Sequence, residues 1–172
     1  QTLFFSATLP REIAELAKKF LKDPITVRIE SRATAENVEQ NVINVRKKDQ
    51  KVDILHDLLL KEDFQKVLIF CRTKRGAERL SKTLHESGFK SDAIHGDKSQ
   101  GQRERALRRF EENALQVLVA TDVAARGLDI DDVTHVINFD VPETYEDYIH
   151  RIGRTGRGGK TGNALTFIEE EK

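Results

Sequence analysis

The chain contains 172 residues, of which 38% are hydrophobic and 34% charged, a composition that fits one ordinary folded domain and excludes a disordered chain. Lysine plus arginine and aspartate plus glutamate each number 29, so the chain has no overall positive field, and binding of nucleic acid would require a local basic patch. The single cysteine, Cys71, excludes an internal disulfide, and no apolar run approaches the length of a membrane span, which predicts a cytoplasmic protein without membrane contact.

Along almost the whole chain, apolar runs of strand length alternate with stretches of helical period, which predicts an α/β fold with a mostly parallel sheet covered by helices. The predicted strands are Thr2–Phe5, Ile25–Ile29, Gln40–Val45, Lys66–Cys71, Ser91–His95, Gln116–Ala120, Thr134–Phe139 and Asn163–Ile168. The predicted helices are Pro10–Leu21, Lys51–Lys61, Arg75–Ser87, Gln100–Asn113 and Tyr145–Arg151. Phe70 and Phe110 are expected to face the core, and Cys71 is expected to be a small buried residue rather than a nucleophile.

The first predicted helix has one apolar face, because apolar residues recur at i, i+3, i+4 and i+7 from Ile13 to Phe20. Residues 30–38 have no apolar period and are rich in small and polar side chains, which predicts a linker there. The linker would separate a strand-helix-strand segment, residues 1–29, from the main domain, residues 39–172. The chain opens at Gln1 and contains no methionine, so we expect it to be part of a longer protein.

Three of the predicted strands run into segments with hydroxyl or basic side chains. These segments are Arg72-Thr73-Lys74-Arg75-Gly76, Gly96-Asp97-Lys98-Ser99-Gln100-Gly101-Gln102-Arg103 and Thr121-Asp122. Because the carboxyl ends of parallel strands lie at one edge of a sheet, where helix N-termini present unpaired N–H groups, we expect the segments to meet there. With four basic side chains at that edge, they predict a track for the sugar-phosphate backbone of a single-stranded nucleic acid. The four are Arg72, Lys74, Lys98 and Arg103.

Plain helix capping is the alternative interpretation of the same segments. Ser99 and Gln102 have the spacing of an S-x-x-Q capping box, and Thr73, Thr121 or Asp122 would cap in the same way. Each segment alone favours capping, whereas the three together favour the track. No aromatic residue lies among the basic ones, so we expect phosphate contacts rather than base stacking.

Residues 150–157 read His-Arg-Ile-Gly-Arg-Thr-Gly-Arg and place three guanidiniums and one imidazole within eight residues. The planar fork of arginine matches phosphate oxygens, and the glycines permit close approach, so this segment predicts a polyphosphate site. Arginine and glycine also suit the C-terminus of a solvated helix. From spacing alone, both interpretations stand.

Four motifs in chain order resemble those of the DEAD-box RNA helicases. They are Ser6-Ala7-Thr8, Ile94-His95-Gly96-Asp97, the run from Val119 to Asp122 with Ala125-Arg126-Gly127-Leu128-Asp129, and residues 150–157. The run Ile94–Leu107 further resembles the bacterial RhlE-type branch. The resemblance implies a RecA-like (P-loop NTPase-type) three-layer sandwich over residues 39–172, preceded by the end of a first helicase lobe and an interlobe linker.

The resemblance assigns contacts with the RNA backbone to a set of residues at the three strand ends. They are Arg72, Thr73, Gly96, Gln100, Arg103 and Thr121. Because backbone contacts carry no base information, it implies RNA binding that is independent of base sequence.

The resemblance assigns ATP chemistry to residues near the C-terminus of the chain. Arg154 and Arg157 match the arginine fingers of the family, which stabilise the charge that develops on the transferred phosphoryl group. Asp129, with Gly127 beside it, is expected to contact the nucleotide ribose or a neighbouring motif, although a solvated acidic turn is the alternative for Asp129.

By the same resemblance, His150 and Arg151 would join the Ser6-Ala7-Thr8 motif and the magnesium ligands, coupling hydrolysis to RNA binding. For Ser6 and Thr8, capping of the helix that begins near Pro10 is an equally good interpretation. The sequence contains no G-x-x-x-x-G-K-T phosphate loop and no Asp-Glu-Ala-Asp run, which the family carries in its first lobe. ATP and Mg²⁺ would therefore be held mainly by that lobe, and the isolated chain is expected to be a weak RNA binder without ATPase activity.

Two functions of other classes remain open at this point, a protein-docking module without catalysis and a lobe of a DNA translocase. The expected partners are RNA, the first helicase lobe and proteins that bind the second lobe. The apolar side chains of residues 1–29 would lack their natural cover, so a dimer caused by truncation is a further expectation.

Overall fold

The computed structural model describes residues 2–5, 11–27, 37–46, 50–126, 130 and 132–170. Its helices are α1 Arg11–Phe20, α2 Gln50–Leu59, α3 Lys74–Glu86, α4 Gln100–Glu111, α5 Asp122–Ala125 and α6 Tyr145–Ile152. Its strands are β1 Val38–Val45, β2 Val67–Phe70, β3 Ser91–Ile94, β4 Val117–Ala120, β5 His135–Asn138 and β6 Gly162–Glu169. In the described part of the chain, no helix has the length and apolar character needed to cross a membrane.

The strands form one sheet in the order β1-β6-β5-β2-β4-β3, and every neighbouring pair is parallel. The central β2 is aligned with β4 on one side and β5 on the other, with Val67 opposite both Val117 and His135. The carboxyl ends of β2, β4 and β3 therefore lie next to one another, as the sequence predicts.

The core lies on both faces of the sheet, since successive residues of a strand point to opposite sides. Val67 and Ile69 of β2 pack with apolar residues of α2 and α3. Leu68 and Phe70 pack on the other face with α4 and α5, where Phe110 is buried. This arrangement confirms the predicted α/β three-layer sandwich.

Cys71 directly follows β2 and is buried, as predicted. Burial, with a smaller contribution from the Asp140 carboxylate, raises the pKa of its thiol to about 12. The thiolate is therefore scarce near neutral pH, which fits a packing residue.

The chain divides into two compact units, residues 1–32 and residues 33–172. In the first unit α1 confirms the predicted helix, but the predicted strand Thr2–Phe5 is wrong, because these residues form no regular structure. The described part of the predicted strand Ile25–Ile29, residues 25–27, is not a strand either. A strand persists only when its backbone pairs with a neighbour, and the described part of this unit offers no strand for such pairing.

Several apolar side chains of the first unit are exposed, including Phe5 at 86%, Phe20 at 69% and Ile25 at 93%. This exposure is the property that motivates the expected dimer, which stays a prediction.

In the second unit the predicted strands and helices are confirmed, with ends that shift by up to two residues. The first of these strands, β1, begins at Val38, the last residue of the predicted linker. The four-residue α5 is not anticipated by the sequence, because it is too short to show a helical period.

His135 supplies a test of the fold through its pH dependence. Its side chain is 4% exposed, and the imidazole stacks on Phe64 with 3.8 Å between the ring centroids. Burial lowers the pKa of His135 below its usual value of 6.5, while Asp63 opposes that shift and Lys61 adds to it. The unfolded chain therefore binds a proton more readily than the folded one.

Because protonation of His135 favours the unfolded chain, its contribution to the free energy of unfolding should be complete above pH 6.5. The free energy of unfolding should then decrease as the pH falls from 6.5 through the lower folded-state pKa. His135→Phe keeps an aromatic ring on Phe64 without a titrating group, so its unfolding free energy should fall less between pH 7.5 and pH 5.5 (roughly the His titration range). Urea unfolding of both proteins at the two pH values measures the difference. Equal losses in both proteins would contradict the assignment.

Candidate functional site

The three strand ends singled out by the sequence carry helix N-termini, two of them capped by side chains. Thr73 Oγ1 accepts a hydrogen bond from Gly76 N at 3.0 Å and caps α3. Ser99 Oγ accepts from Gln102 N at 3.3 Å, and Gln102 Oε1 accepts from Ser99 N at 2.9 Å. The predicted capping box is therefore confirmed. Capping and ligand binding are compatible here, because a capped first turn still directs other N–H groups outward.

Thr121 occupies the N-cap position of α5 and is buried, but its side chain makes no capping hydrogen bond. It follows β4, the strand that lies between β2 and β3. Thr121 is thus placed between the segments that carry Arg72 and Gly96, as expected for one continuous edge.

The basic side chains of this edge differ in their surroundings. Arg72 and Lys74 are exposed, and Arg103 is half-buried on the first turns of α4. Arg103 Nη1 donates to Gln100 Oε1 at 3.5 Å, so two residues assigned to RNA are in contact. Arg103 Nε is buried without a hydrogen-bond partner among the described residues. Both lysines bind acidic side chains. Lys98 Nζ lies 3.2 Å from Asp92 Oδ1 and 3.2 Å from Glu78 Oε2 of α3, and Lys74 Nζ lies 2.6 Å from Asp97 Oδ1.

His95 organises the loop after β3, a role that the sequence does not predict. It is 6% exposed, and its Nδ1 accepts a hydrogen bond from Asp97 N at 3.3 Å. Its Nε2 therefore carries the proton and donates to Glu78 Oε2 at 2.9 Å. This hydrogen bond is the main cause that lowers the pKa of Glu78, with further contributions from Lys98. The backbone of Gly96 is thus held between two anchored residues.

Neither α3 nor α4 carries an acidic residue in its first turn, whereas α6 carries Glu146 and Asp147 there. The positive end of a helix favours an anion, and at α3 and α4 no carboxylate of the first turn supplies one. The edge is therefore electrostatically suited to phosphate groups.

Arg151 of the 150–157 segment is buried and firmly anchored. It is 2% exposed, and one edge of its guanidinium donates two hydrogen bonds to the Asp122 carboxylate. The distances are 2.6 Å from Nε to Oδ1 and 2.8 Å from Nη2 to Oδ2. Its Nη1 donates to Asn138 Oδ1 at 3.1 Å and to the carbonyl oxygen of Asp140 at 2.7 Å. The guanidinium also lies over the ring of Phe70, with 5.1 Å from Cζ to the centroid.

These contacts connect α6 with the start of α5 and with the carboxyl end of β5. Arg151 therefore fixes the position of α6 relative to α5 and β5. A role for it in coupling hydrolysis to RNA binding would be one of positioning these elements. The sequence does not predict Asp122, Asn138 and Asp140 as partners, since the ion pair spans 29 residues of sequence and no local pattern joins its members.

Arg154 and Arg157 follow the end of α6 and are half-buried. Arg154 Nε donates to the carbonyl oxygen of His150 at 3.3 Å, and Arg157 Nε donates to that of Gly153 at 2.9 Å. Between them Thr155 is buried and donates to the carbonyl oxygen of Val133. The turn is therefore held by hydrogen bonds and partly buried, and it is not a solvated helix end.

Gly156 permits the turn, because its φ is +68° and a Cβ atom there would lie 2.8 Å from Val38 Cγ2. The turn lines a cavity of about 530 Å³ at the amino edge of the sheet, together with Lys66 and Lys160. His150 and Arg154 also border a small pocket between α5 and α6.

The structure thus brings the six residues assigned to RNA to the adjacent ends of β2, β4 and β3, and it places Arg154 and Arg157 in the turn after α6. Ser6, Thr8, Gly127 and Asp129 lie outside the described residues. His150 and Arg151 lie on the last turn of α6.

Comparison with known proteins identifies relatives of this chain. Residues 50–159 match the model of the helicase conserved C-terminal domain. The chain is 48% identical over 169 residues to the DEAD-box ATP-dependent RNA helicase CshA of Geobacillus kaustophilus and 49% identical over the same length to CshA of Bacillus subtilis. These alignments cover 98% of the chain but 36% and 34% of the relatives, so the chain spans about a third of their length.

Solved structures show the same likeness. The E. coli DEAD-box protein SrmB, bound to regulator of ribonuclease activity A, matches with a TM-score of 0.74 and 39% identity over 77% of this chain and 78% of that one. S. cerevisiae Dbp5, bound to RNA and ADP BeF3, matches with a TM-score of 0.81 and 32% identity over 97% of this chain and 44% of that one.

Proposed function

Since the chain belongs to the DEAD-box family of ATP-dependent RNA helicases and comprises their conserved C-terminal domain, we propose that it binds the backbone of single-stranded RNA and completes an ATP site on another lobe. The finer placement in an RhlE-type branch stays a prediction. Within this proposal, residues 1–29 are the end of the first lobe, residues 30–38 the linker, and residues 39–172 the second lobe.

One observation carries the RNA part of the proposal. Residues from three separate segments, represented by Arg72, Gly96 and Thr121, meet at the adjacent carboxyl ends of β2, β3 and β4. The first turns of α3 and α4 and the guanidiniums of Arg72 and Arg103 provide donors for phosphate oxygens. The related Dbp5 is solved with RNA, which supports this use of the fold.

Arg154 and Arg157 suit the second part of the proposal, the ATP site. Their guanidiniums can neutralise charge on a phosphoryl group that another lobe presents, as arginine fingers do. Gly127 and Asp129 are proposed to contact the ribose. Mg²⁺, when bound, would neutralise charge on the ATP phosphates, and among the described residues no group of three or more His, Cys, Asp or Glu side chains could hold it.

His150 and Arg151, with Ser6 and Thr8, are proposed to couple the two sites. Arg151 positions α6 against the strand end that leads to Thr121, through its ion pair with Asp122. ATP and RNA would draw the two lobes together, and hydrolysis would let them part. The isolated chain is accordingly proposed to lack ATPase activity. Proteins that bind the second lobe are further proposed partners, as the SrmB complex with a regulator illustrates.

Binding of fluorescent single-stranded RNA, measured by anisotropy at several salt concentrations, tests the RNA track. Arg103→Ala should weaken binding to all base sequences alike and flatten the slope of log affinity against log salt by about 0.7 for each phosphate that is no longer neutralised. Arg108→Ala is the matched control, because it removes an exposed arginine from the last turn of the same helix.

The proposal fails if Arg103→Ala and Arg108→Ala bind RNA equally well, or if binding depends strongly on base sequence. Stronger binding to single-stranded DNA of equal length would favour a DNA translocase. No binding to either nucleic acid would favour a protein-docking module.

A further inference from the structure

An exposed ion pair joins the loops that follow β2 and β3. Lys74, the first residue of α3, places its Nζ 2.6 Å from Oδ1 of Asp97, which lies in the loop before α4. The side chains are 53% and 64% exposed. The hydrogen bond from Lys74 is the main cause that lowers the pKa of Asp97, so the carboxylate is charged at neutral pH.

The side chain of Lys74 lies against the backbone of Gly96. A Cβ atom at Gly96 would be 3.2 Å from Lys74 Cε and 3.4 Å from its Nζ. Gly96 belongs to the proposed RNA track, so a phosphate that approaches its backbone also arrives beside the ammonium group of Lys74. In the structure, the Asp97 carboxylate is the anion beside that ammonium group.

The surrounding charges distinguish Asp97 from the other carboxylates of this region. Asp92 and Glu78 both contact Lys98, at 3.2 Å each. Among the described residues, Asp97 is the carboxylate that contacts Lys74. The neighbouring Arg75 also favours the charged form of Asp97 and so lowers its pKa.

We propose that Lys74 is a further contact for an RNA phosphate and that Asp97 competes with RNA for it. The inference rests on the RNA track proposed above. An exposed ion pair is weak, because water and salt screen it and two mobile side chains must be held. A phosphate group fixed by other contacts of the track can therefore displace the Asp97 carboxylate, at some cost in affinity.

RNA binding by the 172-residue chain tests the competition. Asp97→Asn should bind single-stranded RNA about twofold to fivefold more tightly, the range of an exposed ion pair. Its salt dependence should be steeper by up to about 0.7, the contribution of one phosphate, because Lys74 is then fully available to neutralise that phosphate. Lys74→Gln should bind more weakly than the unchanged chain.

The decisive measurement is the double variant Lys74→Gln/Asp97→Asn, which should bind like Lys74→Gln alone. Glu86→Gln is the matched control, since it removes one negative charge from an exposed ion pair at the other end of α3 and should leave affinity nearly unchanged. Thermal unfolding checks that each variant is folded, and Lys74→Gln carries the test if Asp97→Asn is not.

The inference is overturned if Asp97→Asn and Glu86→Gln increase affinity equally, or if Asp97→Asn has the same effect with Lys74 removed. It is also overturned, while the RNA track stands, if Arg103→Ala weakens binding and Lys74→Gln does not. Absence of RNA binding by every variant contradicts the proposed function itself and the inference with it.

Discussion

Replacement of Arg151 by Ala is expected to lower the free energy of unfolding by about 2–3 kcal/mol, less than the loss of about 3–5 kcal/mol for a fully buried ion pair, because the Asp122 side chain is 30% exposed. Asp122 would be deprived of both hydrogen bonds from the guanidinium, and Asn138 and the carbonyl group of Asp140 would each be left without this donor. The cavity left over Phe70 adds to the destabilisation. Urea unfolding at neutral pH measures the effect.

Arg126→Ala is the matched control, because Arg126 also joins α5 to α6 but does so at the surface. Its side chain is 67% exposed and lies 3.4 Å from Asp147. Removal of this pair should cost less than about 1 kcal/mol. If the two variants are equally stable, Arg151 does not anchor α6. Arg151→Lys should recover only part of the stability, since an ammonium group cannot bind Asp122 in a bidentate manner.

Arg154→Ala or Arg157→Ala is expected to reduce RNA-stimulated ATP hydrolysis in the proposed two-lobed helicase by about three to five powers of ten, the contribution of an arginine finger. The guanidinium stabilises charge that develops in the transition state, so the reduction should appear in kcat more than in the KM for ATP. Steady-state hydrolysis at saturating RNA measures both parameters.

Lys160→Gln provides the control for this experiment. Lys160 lines the same cavity as Arg154 and Arg157 but pairs with Asp132, so its replacement removes one positive charge without removing a proposed finger. It should hydrolyse ATP at nearly the normal rate. Normal hydrolysis by both arginine variants would contradict the finger assignment, and thermal unfolding separates loss of activity from loss of structure.

Hydrophobic periodicity is sufficient to predict the layered α/β architecture of the second unit, because it reports which face of each element is buried. The apolar run Val67–Phe70 predicts a strand buried on both faces, and the S-x-x-Q pattern at Ser99 predicts the cap of α4. The same logic places Arg72, Gly96 and Thr121 at one edge, since parallel strands end at the same side of a sheet.

Which side chains meet across that framework is visible in the folded molecule and not in the residue pattern. The Arg151–Asp122 and His95–Glu78 contacts depend on strand order and helix placement, which periodicity does not encode. The predicted strand Thr2–Phe5 is wrong for a related reason, since a strand requires a paired neighbour and apolar residues alone do not supply one. Residue patterns are local, whereas ion pairs and strand pairing form between segments that the fold brings together.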